Sequence, residues 1–262
     1  MKLQITTLLL AIICFSSCKK KEETTVTEES KVIVETKKKS AIEISPIEHA
    51  TAVIEYGKGI IYIDPTGGAE AFKSFGQPNF IIITDIHSDH MDIKTLEALD
   101  LSNAKILAPK AVISELPKEI AYNSLMMSNG DVQKFDGFQI EAIPMYNLRE
   151  EALKFHPKER GNGYVFTFGD ERIYFSGDTE DIPEMRALKN IDKAFVCMNL
   201  PYTMTVESAA SAVLEFKPKQ VYPYHYRGTE GFSDVEKFKD LVEKGNSDIE
   251  VVQLDWYKEK EL

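Results

Sequence analysis

The sequence predicts an α/β fold, and three observations carry that expectation. Short apolar runs rich in Ile, Val, Phe and Tyr recur between Gly, Pro and Asp residues, as strands do. Between several of them the apolar residues take up helical spacing, first at Ile93, Leu96 and Leu99 and later at Val206, Ala209, Ala210, Val213 and Leu214. The stretch Ile61-Tyr62-Ile63-Asp64-Pro65-Thr66 is also echoed by Ile173-Tyr174-Phe175-Ser176-Gly177-Asp178-Thr179. Each is the return arm of a hairpin that ends in an acidic residue near a threonine. Strands that alternate with helices give a layered arrangement, and the echo suggests two similar halves.

The elements follow in order. Ile42 to Ile47 opens the folded part as an alternating strand, and Ala52 to Tyr56 turns at Gly57-Lys58-Gly59 into Ile60 to Ile63. Phe80 to Ile83 is apolar throughout and reads as a buried strand. A helix from Ile93 to Leu101 comes next, then a strand from Ala104 to Ala108 and a short helix from Lys110 to Leu116, stopped by Pro117. Phe138 to Ile143 leads through Pro144-Met145-Tyr146-Asn147 into a polar loop that runs past His156. Tyr164 to Phe168 turns at Gly169-Asp170 into Arg172 to Phe175. Thr205 caps a helix through Phe216, with Pro218 just past its end, and Val221 to Tyr224 is a strand that delivers His225. Ser233 and Glu236 have the spacing of a capping box for a helix from Asp234 to Lys244, stopped by Gly245; Ile249 to Leu254 closes the sheet.

The N-terminal part reads as an address followed by a tether. Lys2 precedes an apolar core from Leu8 to Phe15 that is too short to span a bilayer as a helix. Phe15-Ser16-Ser17-Cys18 resembles a bacterial lipobox, so residues 1–17 are expected to be a lipoprotein signal peptide and Cys18 to carry lipid. Residues 18–40 open with Lys19-Lys20-Lys21-Glu22-Glu23 and are rich in Thr, Glu and Lys; they are expected to form a flexible tether, because they bury too little surface to offset ordering. The folded domain is then 41–262, placed in a bacterial cell envelope, periplasmic or at the outer-membrane surface. Cysteine usage agrees: Cys14 leaves with the signal, Cys18 is lipidated, and Cys197 remains in an apolar run as a buried thiol with no intrachain partner. A formal charge of −11 argues against nonspecific nucleic-acid binding, which needs clustered Lys and Arg.

The chemistry concentrates in Thr84 to Asp92. Four potential metal ligands, Asp85, His87, Asp89 and His90, fall within six residues at the end of the Phe80–Ile83 strand. A loop leaving a strand can turn several side chains onto one point, which suits a metal site. The other histidines are His49, His156 and His225; the last two stand at loops beside strand ends, and Asp178 follows a strand end. No Gly-X-Ser-X-Gly is present, and a buried Cys197 does not serve as a nucleophile.

The run Asp85, His87, Asp89, His90 resembles the His-X-His-X-Asp-His signature of the metallo-β-lactamase superfamily, with Asp85 where the family usually has its first histidine. The later Gly177-Asp178-Thr179 and His225 extend the resemblance over most of the chain from about Ile42 onward. It implies a four-layer αβ/βα sandwich and a metal-dependent hydrolase. It further implies two divalent metal ions, zinc first among them: one held by Asp85, His87 and His156, the other by Asp89, His90 and His225, with Asp178 bridging. Asn147 also ends a strand and is the alternative to His156, although imidazole is the better ligand at neutral pH. A carboxylate is harder than an imidazole, so Asp85 weakens the preference for zinc and opens the site to manganese or iron. A metal-bound hydroxide would attack an ester, lactone, amide or phosphodiester of a small-molecule or lipid-derived substrate, with Asp89 as the catalytic residue that orients the nucleophile or takes its proton. His49 and Asp64 are expected beside the ligands, hydrogen-bonded to them. Arg227 is expected to bind a phosphate or carboxylate, and Lys158 and Arg160 lie on the same ligand-bearing loops. The rival reading is a lipid-anchored metal-binding protein whose activity the altered first ligand has weakened.

Overall fold

Hairpins that give way to parallel strands build each half of the molecule. A computed structural model describes residues 42–257; the expected signal peptide, Cys18 and the tether lie outside the described residues. Strands β1 (Ile42–Glu48), β2 (Thr51–Tyr56) and β3 (Gly59–Ile63) form an antiparallel meander. Strands β4 (Phe80–Ile82), β5 (Lys105–Ala108) and β6 (Ser124–Met126) extend it in parallel, giving a six-stranded sheet in sequence order. The second half repeats the plan. Strands β7 (Val132–Phe135), β8 (Phe138–Met145), β9 (Gly161–Phe168) and β10 (Glu171–Phe175) are antiparallel neighbours. Then β11 (Lys193–Val196) and β12 (Gln220–Pro223) run parallel to β10. A small hairpin of β13 (Arg227–Gly228) and β14 (Gly231–Phe232) follows, and β15 (Glu250–Val251) completes a seven-stranded sheet beside β12. Strands β3 and β10 therefore correspond, and the echo seen in the sequence is a repeat of topology.

Parallel neighbours need crossovers, and the helices supply them. Helices α1 (Ile93–Ala98), α2 (Lys110–Glu115) and α3 (Lys118–Ala121) serve the first sheet; α4 (Pro183–Arg186), α5 (Val206–Phe216) and α6 (Val235–Gly245) serve the second. Strand alternation divides the core. Ile81 and Ile83 pack outward with Leu96 of α1 and Val112 of α2, while Ile82, Ile54 and Ile61 pack inward toward the second sheet. Rings of Tyr56 and Phe80 meet Phe138 across the gap, with centroids 5.3 and 5.0 Å apart. On the far side, Tyr174 lies edge-on to Phe216 of α5, and Phe238 of α6 is fully buried. Each such side chain contributes about 1.5–3 kcal/mol on burial. The layers are helix, sheet, sheet, helix, as the resemblance implied. Among the described residues no helix is long and apolar enough to cross a membrane.

Several local expectations are corrected. Helix α1 ends at Ala98 rather than Leu101, because Leu99 is already extended. The cap of α6 is Asp234, whose side chain accepts from the Lys237 amide; Ser233 instead donates to the Met198 carbonyl. Gly245 is the last helical residue and Asn246 the cap, and β15 is only two residues long. Strands β6 and β7 and helix α3 had no sequence signal. The loop past His156 is shorter than expected, because Gly161-Asn162-Gly163 is already strand β9. Those glycines serve close packing: a Cβ at Gly163 would lie 2.6 Å from the Ser176 carbonyl oxygen, and one at Gly161 would lie 2.9 Å from that of Thr84. Strand β9 thereby rests against the ends of both β4 and β10, and the Asn162 amide donates to the Thr84 carbonyl at 3.0 Å.

Candidate metal centre

The candidate ligands leave the carboxyl ends of β4, β10 and β12, the side where open α/β sheets bind ligands. Asp64 anchors the group from the end of β3. It is fully buried at a φ of +43°, a conformation Asp tolerates better than most residues. Its Oδ1 accepts from the Thr84 amide at 2.7 Å, and its Oδ2 accepts from Thr84 Oγ1 at 2.6 Å. The same Oδ2 lies 2.8 Å from His90 Nδ1, which makes Nδ1 the donor to Asp64 and turns Nε2 of His90 toward His225 and Asp178. Asp64 thus stands behind a candidate ligand.

Nε2 of His90 faces Nε2 of His225 at 3.1 Å, and Asp178 closes the triangle. Asp178 Oδ1 is 3.1 Å from His225 Nε2, and Oδ2 is 3.4 Å from His90 Nε2. Bonds of about 2.0–2.1 Å in a tetrahedral zinc site separate neighbouring ligand atoms by about 3.3–3.4 Å, so this spacing fits one divalent ion. Asp178 Oδ1 and His225 Nδ1 are buried without a hydrogen-bond partner among the described residues. Asp89 stands at the mouth of this group: Oδ2 is 3.3 Å from His49 Nε2 and 3.5 Å from His225 Nε2, while Oδ1 is 4.0 Å from His90 Nε2. His49 is held through Nδ1 by the Tyr257 hydroxyl at 2.8 Å, and its ring lies 3.9 Å from that of His225. It therefore touches Asp89 and stands close enough to join a ligand group with Asp89 and His225.

A second group comprises Asp85, His87 and His156. His87 Nδ1 is 2.8 Å from Asp85 Oδ2. His156 Nε2 is 3.9 Å from Asp85 Oδ2 and 3.2 Å from Asp178 Oδ2, so Asp178 lies between the two groups. His156 Nδ1 faces the Tyr202 carbonyl at 3.2 Å, which turns a buried Nε2 toward the carboxylates. Asn147 is tied to His156 by its backbone. Its amide donates to the His156 carbonyl at 2.9 Å, and its Nδ2 donates to the carbonyls of Ala152 and Tyr202.

Two arginines sit differently from the sequence expectation. Arg160 does not face open solvent for a substrate: Nε donates to Asp85 Oδ1 at 2.9 Å and Nη2 to Oδ2 at 2.7 Å. Arg227 lies over the Tyr257 ring, 4.9 Å from its centroid, with Nη2 3.8 Å from Glu48 Oε1, and it does not line the cleft beside the histidines. The Arg160–Asp85 pair and the Tyr257–His49 contact carried no sequence signal, since each joins residues far apart in the chain.

Charge is tightly balanced here. Burial opposes ionisation of Asp178, but His225, His90 and His156 outweigh it and hold its pKa well below the ordinary 3.8. Burial acts against a charged His90, yet Asp178, Asp64 and Asp89 hold its pKa well above 6.5. His225 goes the other way: burial, with His49 and His90 adding to it, pushes it down to about 3 against the pull of Asp178. Asp89 is held below its ordinary value, burial being overcome chiefly by His90 and His49. The set holds three carboxylates and four imidazoles with converging free atoms, which suits a divalent ion of the zinc class.

An open cleft of about 410 Å³ leads to this point, lined by His87, Asp89, His156 and Asp178 together with Phe155 and Tyr202. Grooves of about 450 and 530 Å³ elsewhere are lined by no histidine. Cys197 lies behind the site, fully buried, with its thiol pushed up to about 12 mainly by burial, as befits an inert core residue.

Fold and site together define a metallo-β-lactamase-type metal centre on an αβ/βα sandwich. A family model described as Beta-lactamase superfamily domain matches residues 43–225, and the chain belongs to that superfamily. It is 31% identical over 214 residues to a UPF0173 metal-dependent hydrolase of Pyrococcus horikoshii, a match spanning 77% of this chain and 92% of the relative. A solved structure assigned as a metal-dependent hydrolase from Parabacteroides distasonis is 36% identical with a TM-score of 0.73, covering 82% of this chain and 94% of that one. The novel metallo hydrolase Igni18 of Ignicoccus hospitalis shares the fold at 21% identity and a TM-score of 0.69, over 81% of this chain and 94% of that one. The chain is a metal-dependent hydrolase of the metallo-β-lactamase superfamily.

Proposed function

We propose that the chain holds a divalent ion, zinc in the first instance, at His90, His225 and Asp178, and hydrolyses a small ester, lactone, amide or phosphodiester in the cleft beside it. The observation that carries this reading is the closing of His90 Nε2, His225 Nε2 and the Asp178 oxygens to 3.1–3.4 Å, with His90 turned by Asp64. When bound, such an ion supplies a Lewis acid and lowers the pKa of its water toward about 7. The protein does the rest. Asp64 fixes the His90 tautomer and raises its basicity as a ligand. Asp89 is about two-fifths exposed at the mouth of the group, and its depressed pKa makes it a weak base. It therefore orients the attacking water by accepting its hydrogen bond, while His49, backed by Tyr257, holds the carboxylate in place. Phe155 and Tyr202, with centroids 5.0 Å apart, form an aromatic wall against which the body of a substrate rests. A cleft of about 410 Å³ is at the small end for ligand sites, which favours a compact substrate or a head group over a whole lipid. The lipobox-like Phe15-Ser16-Ser17-Cys18 supports anchoring to a bacterial membrane through Cys18, with the substrate met in the cell envelope.

The test is a panel of generic phosphodiester, lactone, ester and amide substrates with chelated and zinc-restored protein. Turnover that chelation abolishes and zinc restores supports the reading. Tight zinc binding without turnover on any member favours the metal-binding alternative.

A further inference from the structure

Asp85 is fully buried, and its charge is already balanced from within the chain. Arg160 binds both of its oxygens, at 2.9 and 2.7 Å, and His87 Nδ1 adds a contact to Oδ2 at 2.8 Å. A carboxylate offers about four acceptor positions, so three are taken. The guanidinium is anchored in turn, because Nη2 also donates to the Phe155 carbonyl, next to His156. Arg160 directly precedes β9, whose Asn162 amide is tied to the Thr84 carbonyl beside Asp85. The segment that delivers His156 therefore delivers a cation with it. Among the described residues, no Lys or Arg nitrogen stands within 4.0 Å of the carboxylates of Asp64, Asp89 or Asp178. A metal ion entering through Asp85 would have to approach a permanent positive charge and displace one of its N–H groups. An ion entering at His90, His225 and Asp178 meets no such guanidinium.

We propose that Arg160 stands in for the charge of a second metal ion: the chain binds one divalent ion tightly, at His90, His225 and Asp178, and any second ion at the Asp85 group about 100-fold or more weakly. The proposal rests on the functional reading above, which places the first ion.

Zinc uptake by the full chain, measured by equilibrium dialysis with elemental analysis and by cobalt(II) titration followed in visible absorption, tests it. Wild type should saturate at one equivalent. Asp85→Asn should keep that equivalent, because Asp85 does not hold the ion. Arg160→Gln should gain a second equivalent, at least ~10-fold tighter than any second equivalent in wild type, once the repelling charge is gone. Two equivalents of like affinity in wild type, or loss of one in Asp85→Asn, would overturn the proposal and leave the functional reading intact. An Arg160→Gln chain that folds and stays at one equivalent would remove the guanidinium as the cause. Should that variant not fold, wild type and Asp85→Asn decide the matter between them. No zinc at all in wild type would overturn the functional reading itself.

Discussion

Asp64 and Asp85 invite comparison. Both are fully buried carboxylates just past strand ends, and both touch a histidine Nδ1 at 2.8 Å, Asp64 that of His90 and Asp85 that of His87. They differ in what stands behind them. Asp64 accepts from the neutral amide and hydroxyl of Thr84, whereas Asp85 is clasped by the guanidinium of Arg160. Burial accordingly wins at Asp64 and raises its pKa, while at Asp85 burial is outweighed by His87, His90 and Arg160 and the pKa is lowered. A carboxylate with only neutral partners directs its charge at the imidazole and makes it a better ligand. One already paired with a cation has less to give. Under the proposed assignment, the same residue type at two strand ends prepares one position for a metal and disfavours the other.

Mutations can break or sharpen that contrast. The largest effect is expected from Asp178→Ala, which removes the carboxylate between the groups: zinc affinity and activity should fall by more than the ~100-fold upper range typical of outer partners. Equilibrium dialysis and turnover measure it. Asp64→Asn comes next. Asn tolerates the same positive φ but sets an amide N–H against donors of Thr84 or His90, so charge and acceptor are lost together, and zinc affinity should drop by about 10–100-fold. Gly163→Ala acts on the end of β10 that leads to Asp178, since its Cβ would press on the carbonyls of Ser176 and Phe175 at 2.6 and 3.0 Å. Overpacking of this kind costs about 1–3 kcal/mol, readable as a shift in a urea unfolding midpoint.

The effect of pH follows from His90. Its pKa is raised above 6.5, so in chelated protein its contribution to stability is full below that value and fades as pH rises through the raised pKa. Zinc must displace that proton, so affinity at neutral pH should rise by about tenfold per pH unit for one proton released. Calorimetry in two buffers of different ionisation enthalpy would report the release. The smallest effect belongs to Tyr257→Phe, which removes the hydroxyl from His49 Nδ1. The hydroxyl also accepts from the Arg227 amide at 3.2 Å, so two hydrogen bonds of about 0.5–1.5 kcal/mol each are lost; the change should cost a few-fold in kcat/KM and leave zinc uptake unchanged.

Much of this was legible in the chain. The apolar runs at Ile60–Ile63 and Phe80–Ile83 and the helical stripe after Thr205 gave the layers, because their periodicity reflects burial on defined faces. Local ligand spacing gave His87, Asp89 and His90, and the hairpin echo pointed to Asp64 and Asp178 as equivalent strand ends. What stayed hidden has one physical origin. Arg160 meets Asp85 across 75 residues of sequence, and His49 meets Tyr257 across 208, so nothing local marks either pair. The sequence reading begins that strand at Tyr164, after Gly161 and Gly163, because sequence does not distinguish a glycine needed for conformation from one needed for clearance. Strands β6 and β7 are short and partly exposed, and only their neighbours make them strands.

The central claim is that His90, His225 and Asp178 hold the ion on which hydrolysis depends. Anomalous diffraction at the zinc edge, from crystals grown with zinc, tests it most directly. A strong peak about 2.0–2.1 Å from Nε2 of both His90 and His225, touching an Asp178 oxygen, is the expected result. A peak centred on Asp85 and His87 with none between His90 and His225, or no peak at all, would contradict the account.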